Sequence, residues 1–253
     1  MVELVLASRV AVVGERLRCE LAGLTEPAEV ALVRVERCPA GTLPVSISSC
    51  VAGPTDPTFE LVVPAGVPPG CAGVRCRLGF VVRARSPVRG RRRAEVVVPV
   101  EVRGGEQAVH EGDHLDDRLI ASYPARHFHL ELVAALLEGG GHLRGRVHVA
   151  EGISEGVVQV TIRCTESWRT NFRIRNWRHP PLWDAHALWQ HQTSVELEPG
   201  RRWYPFEFDI PPGLPPGMEG YVVSWRYEIE AQRHVRARPD ERAVITPLRF
   251  EIA

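Results

Sequence analysis

FELVVPAGVPPGCAG (Phe59–Gly73) returns later in the chain as FEFDIPPGLPPGMEG (Phe206–Gly220), without a gap, at an offset of 147. Eight of the fifteen positions are identical: Phe, Glu, Pro, Gly, Pro, Pro, Gly and Gly. Proline fixes φ and glycine frees it, so the repeated spacing is a repeated backbone shape. A repeat of this length points to two copies of one domain.

The match runs on past the motif. Val74, Cys76, Leu78, Phe80, Val82 and Ala84 alternate with Arg75, Arg77, Arg83 and Arg85. The same register gives Tyr221, Val223, Trp225, Tyr227, Ile229 and Ala231 in the second copy. Strict period-two alternation with one polar face marks a strand packed on a core. Upstream, LVLASRVAVVGERLRCEL (Leu4–Leu21) aligns with LELVAALLEGGGHLRGRV (Leu130–Val147) at an offset of 126. Ala31, Val33 and Val35 then align with Val158, Val160 and Ile162 at 127. The offset grows from 127 to 147, so the second copy holds about twenty extra residues between Cys164 and Phe206.

Helical patterns are short and few, His114–Ser122 among them. Valine-rich alternating runs between Pro/Gly turns predict an all-β chain of two tandem immunoglobulin-like β-sandwiches. The expected limits are 1–104, an acidic linker at 105–124, and 125–253 with an insertion at about 167–203.

Lysine and arginine together balance aspartate and glutamate, 31 against 31, which argues against a general nucleic-acid binder. All 31 basic residues are arginine, a usage that a GC-rich genome explains, with bidentate anion binding as the functional alternative. Residues 1–104 carry 14 Arg against 10 acids, and 105–124 one Arg against five. No apolar run is long enough for a membrane span, and MVELVLASRV lacks a basic start and a long apolar region, so a cytoplasmic location is expected. Cys19, Cys38, Cys50, Cys71, Cys76 and Cys164 form no CxxC pair; reduced core thiols are expected, with disulfides as the alternative.

The pattern carried by Phe59, Pro64, Pro68, Pro69 and Gly70, and again by Phe206, Pro211, Pro215, Pro216 and Gly217, resembles the signature of arrestin domains. GERLRCEL and GGHLRGRV resemble the strand that precedes it. The chain is similar to the compact bacterial members of the arrestin-like clan, such as the sporulation-control protein, and to the arrestin-shaped subunit of retromer. The resemblance implies a non-enzymatic scaffold that binds other proteins, some members taking phosphate-bearing segments or lipids. The sequence stops at Ala253 after PLRFEIA and has no PPxY motif, so neither a clathrin-binding tail nor receptor regulation is carried over.

The unshared parts of the two copies hold the candidate sites. Ser167–Trp203 contains Trp168, Trp177, Trp183, Trp189 and Trp203, five of the six tryptophans, with Arg173, Arg175 and Arg178. Trp and Arg dominate binding hot spots, so these residues are candidates for partner binding; packing or homodimer formation is the competing reading. His179, Asp184, His186 and His191 fit neither a helix face nor a strand face and read as a Pro-containing loop, not a metal site. GxSxG, HExxH and P-loop motifs are absent, so no catalytic residue and no cofactor is assigned, an enzyme in the tryptophan insertion being the remote alternative.

In the first copy, Arg75, Arg77, Arg83 and Arg85 on the long strand, with Arg89, Arg91, Arg92 and Arg93 in the turn after it, make a basic face. It would grip anionic lipid or a phosphorylated segment at the membrane periphery, or serve only as a solubilising hairpin tip. The acidic run EGDHLDD (Glu111–Asp117) reads as a connector or as a contact for that basic face. The expected function is thus an intracellular scaffold that binds proteins, with a phosphate- or lipid-binding module as the alternative.

Overall fold

The computed structural model describes residues 2–85, 95–103, 121–124, 128–135, 142–151, 156–173, 180–234 and 241–248. Among these, the chain is built from β-strands and turns, with no helix. The first half contains β1 (Glu3–Leu6), β2 (Val10–Val12), β3 (Arg16–Ala22), β4 (Ala28–Cys38), β5 (Gly41–Ala52), β6 (Thr58–Val62), β7 (Cys71–Ala72), β8 (Arg77–Arg85) and β9 (Glu95–Arg103). The second contains β10 (Ala121–Pro124), β11 (Phe128–Ala135), β12 (His142–Val149), β13 (Val157–Arg169), β14 (Trp183–Glu196), β15 (Trp203–Asp209), β16 (Met218–Glu219), β17 (Val223–His234) and β18 (Glu241–Leu248). The strand β10 lies at the end of the stretch read as linker and takes in Ala121 and Ser122, where a short helix is one reading of the sequence.

The chain divides into two compact units. The first spans Met1–Gln107 and takes in Trp168–Trp183 and Gly220–Val223; the second holds the remainder. The first unit has a sheet of order β1-β3-β6 and another of order β2-β9-β8-β4-β5, with β7 on β8. The second has a sheet of order β10-β11-β12-β15 and another of order β14-β13-β17-β16, with β18 on β17. Two antiparallel sheets face each other around one core in the second unit: Leu130, Leu143, Val147 and Phe208 meet Val160, Ile162, Tyr227 and Ile229. The fold is all-β and of the sandwich type. Each such buried side chain contributes about 1.5–3 kcal/mol through water-excluded apolar area.

Strand pairing agrees with the offsets of 126 and 147. Leu4 pairs with Leu21, and Leu130, 126 residues on, pairs with Val147. Cys19 pairs with Phe59, and Gly145 with Phe206. One register needs correction. Leu32, not Ala31, pairs with the core residue Val82, while Ala31 and Val33 share a face with Arg83 and Val81. An offset of 127 therefore sets Ala31 and Val33, which are buried but lie on the opposite face of β4 from Leu32, against Val158, Val160 and Ile162, which face the core of the second unit. Side chains alternate along a strand, so a slip of one residue exchanges the two faces.

The Pro/Gly motif folds the same way twice. Gly66 and Gly213, equivalent positions, have φ of 86° and 83°, a region glycine enters freely. The Gly73 amide donates to the Cys76 carbonyl at 2.9 Å, and the Gly220 amide to the Val223 carbonyl at 2.8 Å. About half of the extra length of the second copy lies in the connection between the strands of a hairpin: residues 39–40 join β4 to β5, but 170–182 join β13 to β14.

Candidate functional site

The tryptophan-rich stretch distributes its rings between interior and surface. Trp168, near the end of β13, is 3 % exposed, and the Arg75 guanidinium lies 5.7 Å from its ring centroid. Trp189 is half-buried and packs on the second core together with Leu188 and Val195. Trp183, which opens β14, is 47 % exposed. Asn171 ties the β13–β14 connection together: its amide donates to the Pro180 carbonyl at 2.9 Å, and its Oδ1 accepts the Leu182 amide at 3.0 Å. The Arg173 guanidinium occupies the space above Gly41, where any Cβ would collide with it. Trp177, Arg175, Arg178 and His179 lie outside the described residues.

Asp184, His186 and His191 are in strand β14, a correction to their reading as loop residues. β14 lies at the end of its sheet and much of it is exposed, so its sequence need not alternate strictly between apolar and polar. Among the described residues, no three His, Cys, Asp or Glu side chains converge to hold an ion.

Of the arginine face, Arg75 and Arg77 are exposed. Arg83 and Arg85 both reach Glu95 on β9, at 3.6 and 3.1 Å, which offsets part of their charge. Arg89, Arg91, Arg92 and Arg93 lie outside the described residues, as does the acidic run Glu111–Asp117.

A third cluster lies across the β11-β12-β15 sheet. His129 pairs across from His148, and His148 across from Trp203, so three rings stand side by side on adjacent strands. The His129 and His148 ring centroids are 4.4 Å apart, and those of His148 and Trp203 4.1 Å. The Arg146 guanidinium lies 5.3 Å from the Trp203 ring centroid, a cation–π contact. Glu131, largely buried, lies 2.9 Å from His129 Nε2, and the two Nδ1 atoms are 3.2 Å apart. The carboxylate accepts from Nε2–H of His129; when His129 is neutral its Nδ1 is left to accept from His148 Nδ1–H, and when it is protonated the direction between the two rings reverses. Burial, then the neighbouring His129, hold the His148 pKa below its ordinary value; Arg202 adds to this and Glu131 opposes it. Trp203 remains 43 % exposed, giving a flat aromatic platform edged by arginine.

Residues 140–249 match the family model described as Arrestin (or S-antigen), N-terminal domain. That half of the chain is arrestin-like. The match falls on the second repeat, just under half of the 253 residues. No curated protein matches the chain.

The chain also holds a buried charge cluster that the sequence did not reveal. Glu36, on β4, is fully buried. Its carboxylate accepts the amides of Tyr221, Val222 and Val223 at 3.1, 2.7 and 3.2 Å, and Arg34 Nη2 lies 2.8 Å away. Three successive amides aimed at one carboxylate form an anion-binding nest built from backbone. Gly220 precedes it because a Cβ there would press on the Glu36 carboxylate. The terminal glycine of the motif was legible; its carboxylate partner, far away in sequence, was not.

Proposed function

We propose that this arrestin-like protein is a non-enzymatic adaptor that holds partner proteins on the outer surface of its sheets. The arrestin-like match over residues 140–249 carries the reading, since domains of this family generally bind other proteins. The exposed Trp203 with Arg146 beside it has the composition of a binding hot spot, and Trp183 adds a second exposed ring. A cytoplasmic setting accords with thiols that are largely buried, Cys19, Cys76 and Cys164 among them. Burial pushes the Cys19 and Cys71 thiols up to about 12 and Cys164 to about 11, which keeps them protonated and inert.

The test is affinity capture from the source cell with the full chain and with a W203A/W183A variant as baits. The expected outcome is loss of a specific co-purifying protein with unchanged thermal unfolding of the bait. Retention of the same proteins by both baits refutes the surface. The second reading, a peripheral module for anionic lipid or phosphate, is favoured by the exposed Arg75 and Arg77. Flotation with phosphatidylserine vesicles decides it: chain that stays in the dense fraction excludes this reading.

A further inference from the structure

A sheet edge presents unpaired backbone amides and carbonyls, and proteins block such edges with proline, charge or shortness. Among the described residues, β5, β10, β15 and β18 each lie at a sheet edge or flank, and each holds a proline: Pro44, Pro124, Pro205 and Pro247. The edge strands β1, β2 and β6 are at most five residues long. β14 differs on every count. It is the longest strand described, 14 residues, it ends its sheet, and it holds no proline. Much of it is exposed, including Ala185 and Ala187, whose small side chains allow close approach.

Its charge pattern narrows the occupant. From Ala185 through Val195 there is no Asp, Glu or Arg. In an antiparallel pair of identical strands about a two-fold axis, residues near the centre meet themselves or near neighbours, so any charge there repels its copy. A strand built for a charged foreign peptide has no such requirement. Gln190, Gln192, Thr193 and Ser194 each donate and accept, so like can pair with like. A two-fold centred on His191 sets Gln190 opposite Gln192 and Glu196 opposite His186, a charge-compatible register. Beside the edge, a polar hollow of about 410 Å³, lined in part by Gln159, Arg163, Gln192 and Glu230, carries one positive and one negative group.

We propose that β14 pairs antiparallel with β14 of a second copy, joining two sheets into one continuous sheet. The inference goes beyond the adaptor reading and does not depend on it. Sedimentation of the full chain from about 1 to 100 µM tests it, since pairs of this size form in the micromolar range or tighter. The expected mass is twice 28.2 kDa at the upper end. Q192K and Q192E each place like charges across the seam and should each sediment as single copies, while their one-to-one mixture recovers the doubled mass. Hydrogen exchange on the unmodified chain supplies a second readout, with β14 amides slowing at least about tenfold on concentration. A single-copy mass throughout the range, self-association unaffected by Q192K, or concentration-independent exchange in β14 each overturns the proposal.

Discussion

Tyr227 and Phe80 occupy equivalent positions on β17 and β8 and differ by one hydroxyl. Tyr227 Oη donates to the Pro215 carbonyl at 2.7 Å, anchoring the Pro/Gly loop of the second copy from inside the core. Tyr227→Phe leaves that carbonyl without this donor and should cost about 1–2 kcal/mol in urea unfolding. A loss near zero would show that water replaces the hydroxyl. At His148 the consequence is a pH dependence. Its folded pKa lies below the ordinary value, so the unfolded chain takes up the proton first. Its contribution to stability is therefore complete above about pH 6.5 and declines as pH falls below that value, until the folded imidazole is also protonated. Thermal unfolding between pH 7.5 and 5 should show this decline, and His148→Gln should flatten it. His129 and Glu131, which face His148, are retained in that variant.

At the scale of elements, sheet pairing explains why the two copies look alike in some strands and not in others. The inner residues Leu17, Cys19 and Leu21 of β3 match Leu143, Gly145 and Val147 of β12 because both strands face a core in the same register. Gly145 departs for a local reason: a Cβ there would meet the Phe206 ring and the Glu131 carbonyl. The fold was legible because alternation and turn chemistry act over two to four neighbouring residues. β14 was less legible. A strand with one open side mixes Trp, His, Gln and Ala without a period, and its reading as a loop follows from that.

At the scale of the molecule, Glu36 binds amides 185 to 187 residues away. Glu36→Ala leaves Arg34 and three amides without their carboxylate, and should cost about 3–5 kcal/mol, read as a lowered urea midpoint. A paired E36L/R34M change, which removes both charges together, should restore part of that loss. No recovery would mean that the three amides, not Arg34, set the cost.

The repeated motif, the all-β class, the Pro/Gly turns and most inner faces are readable from the order of the residues, since each is written in contacts between near neighbours. That order also drew attention to the Trp- and Arg-rich stretches. Which rings are covered is set by the folded chain alone: Trp168 goes inside while Trp183 and Trp203 stay exposed. Only it brought His129, His148 and Trp203 into a row and Glu36 onto Tyr221–Val223. Those groups meet because strands distant in sequence become neighbours in a sheet or share one interior, and the short-range spacing of residues carries no record of such meetings.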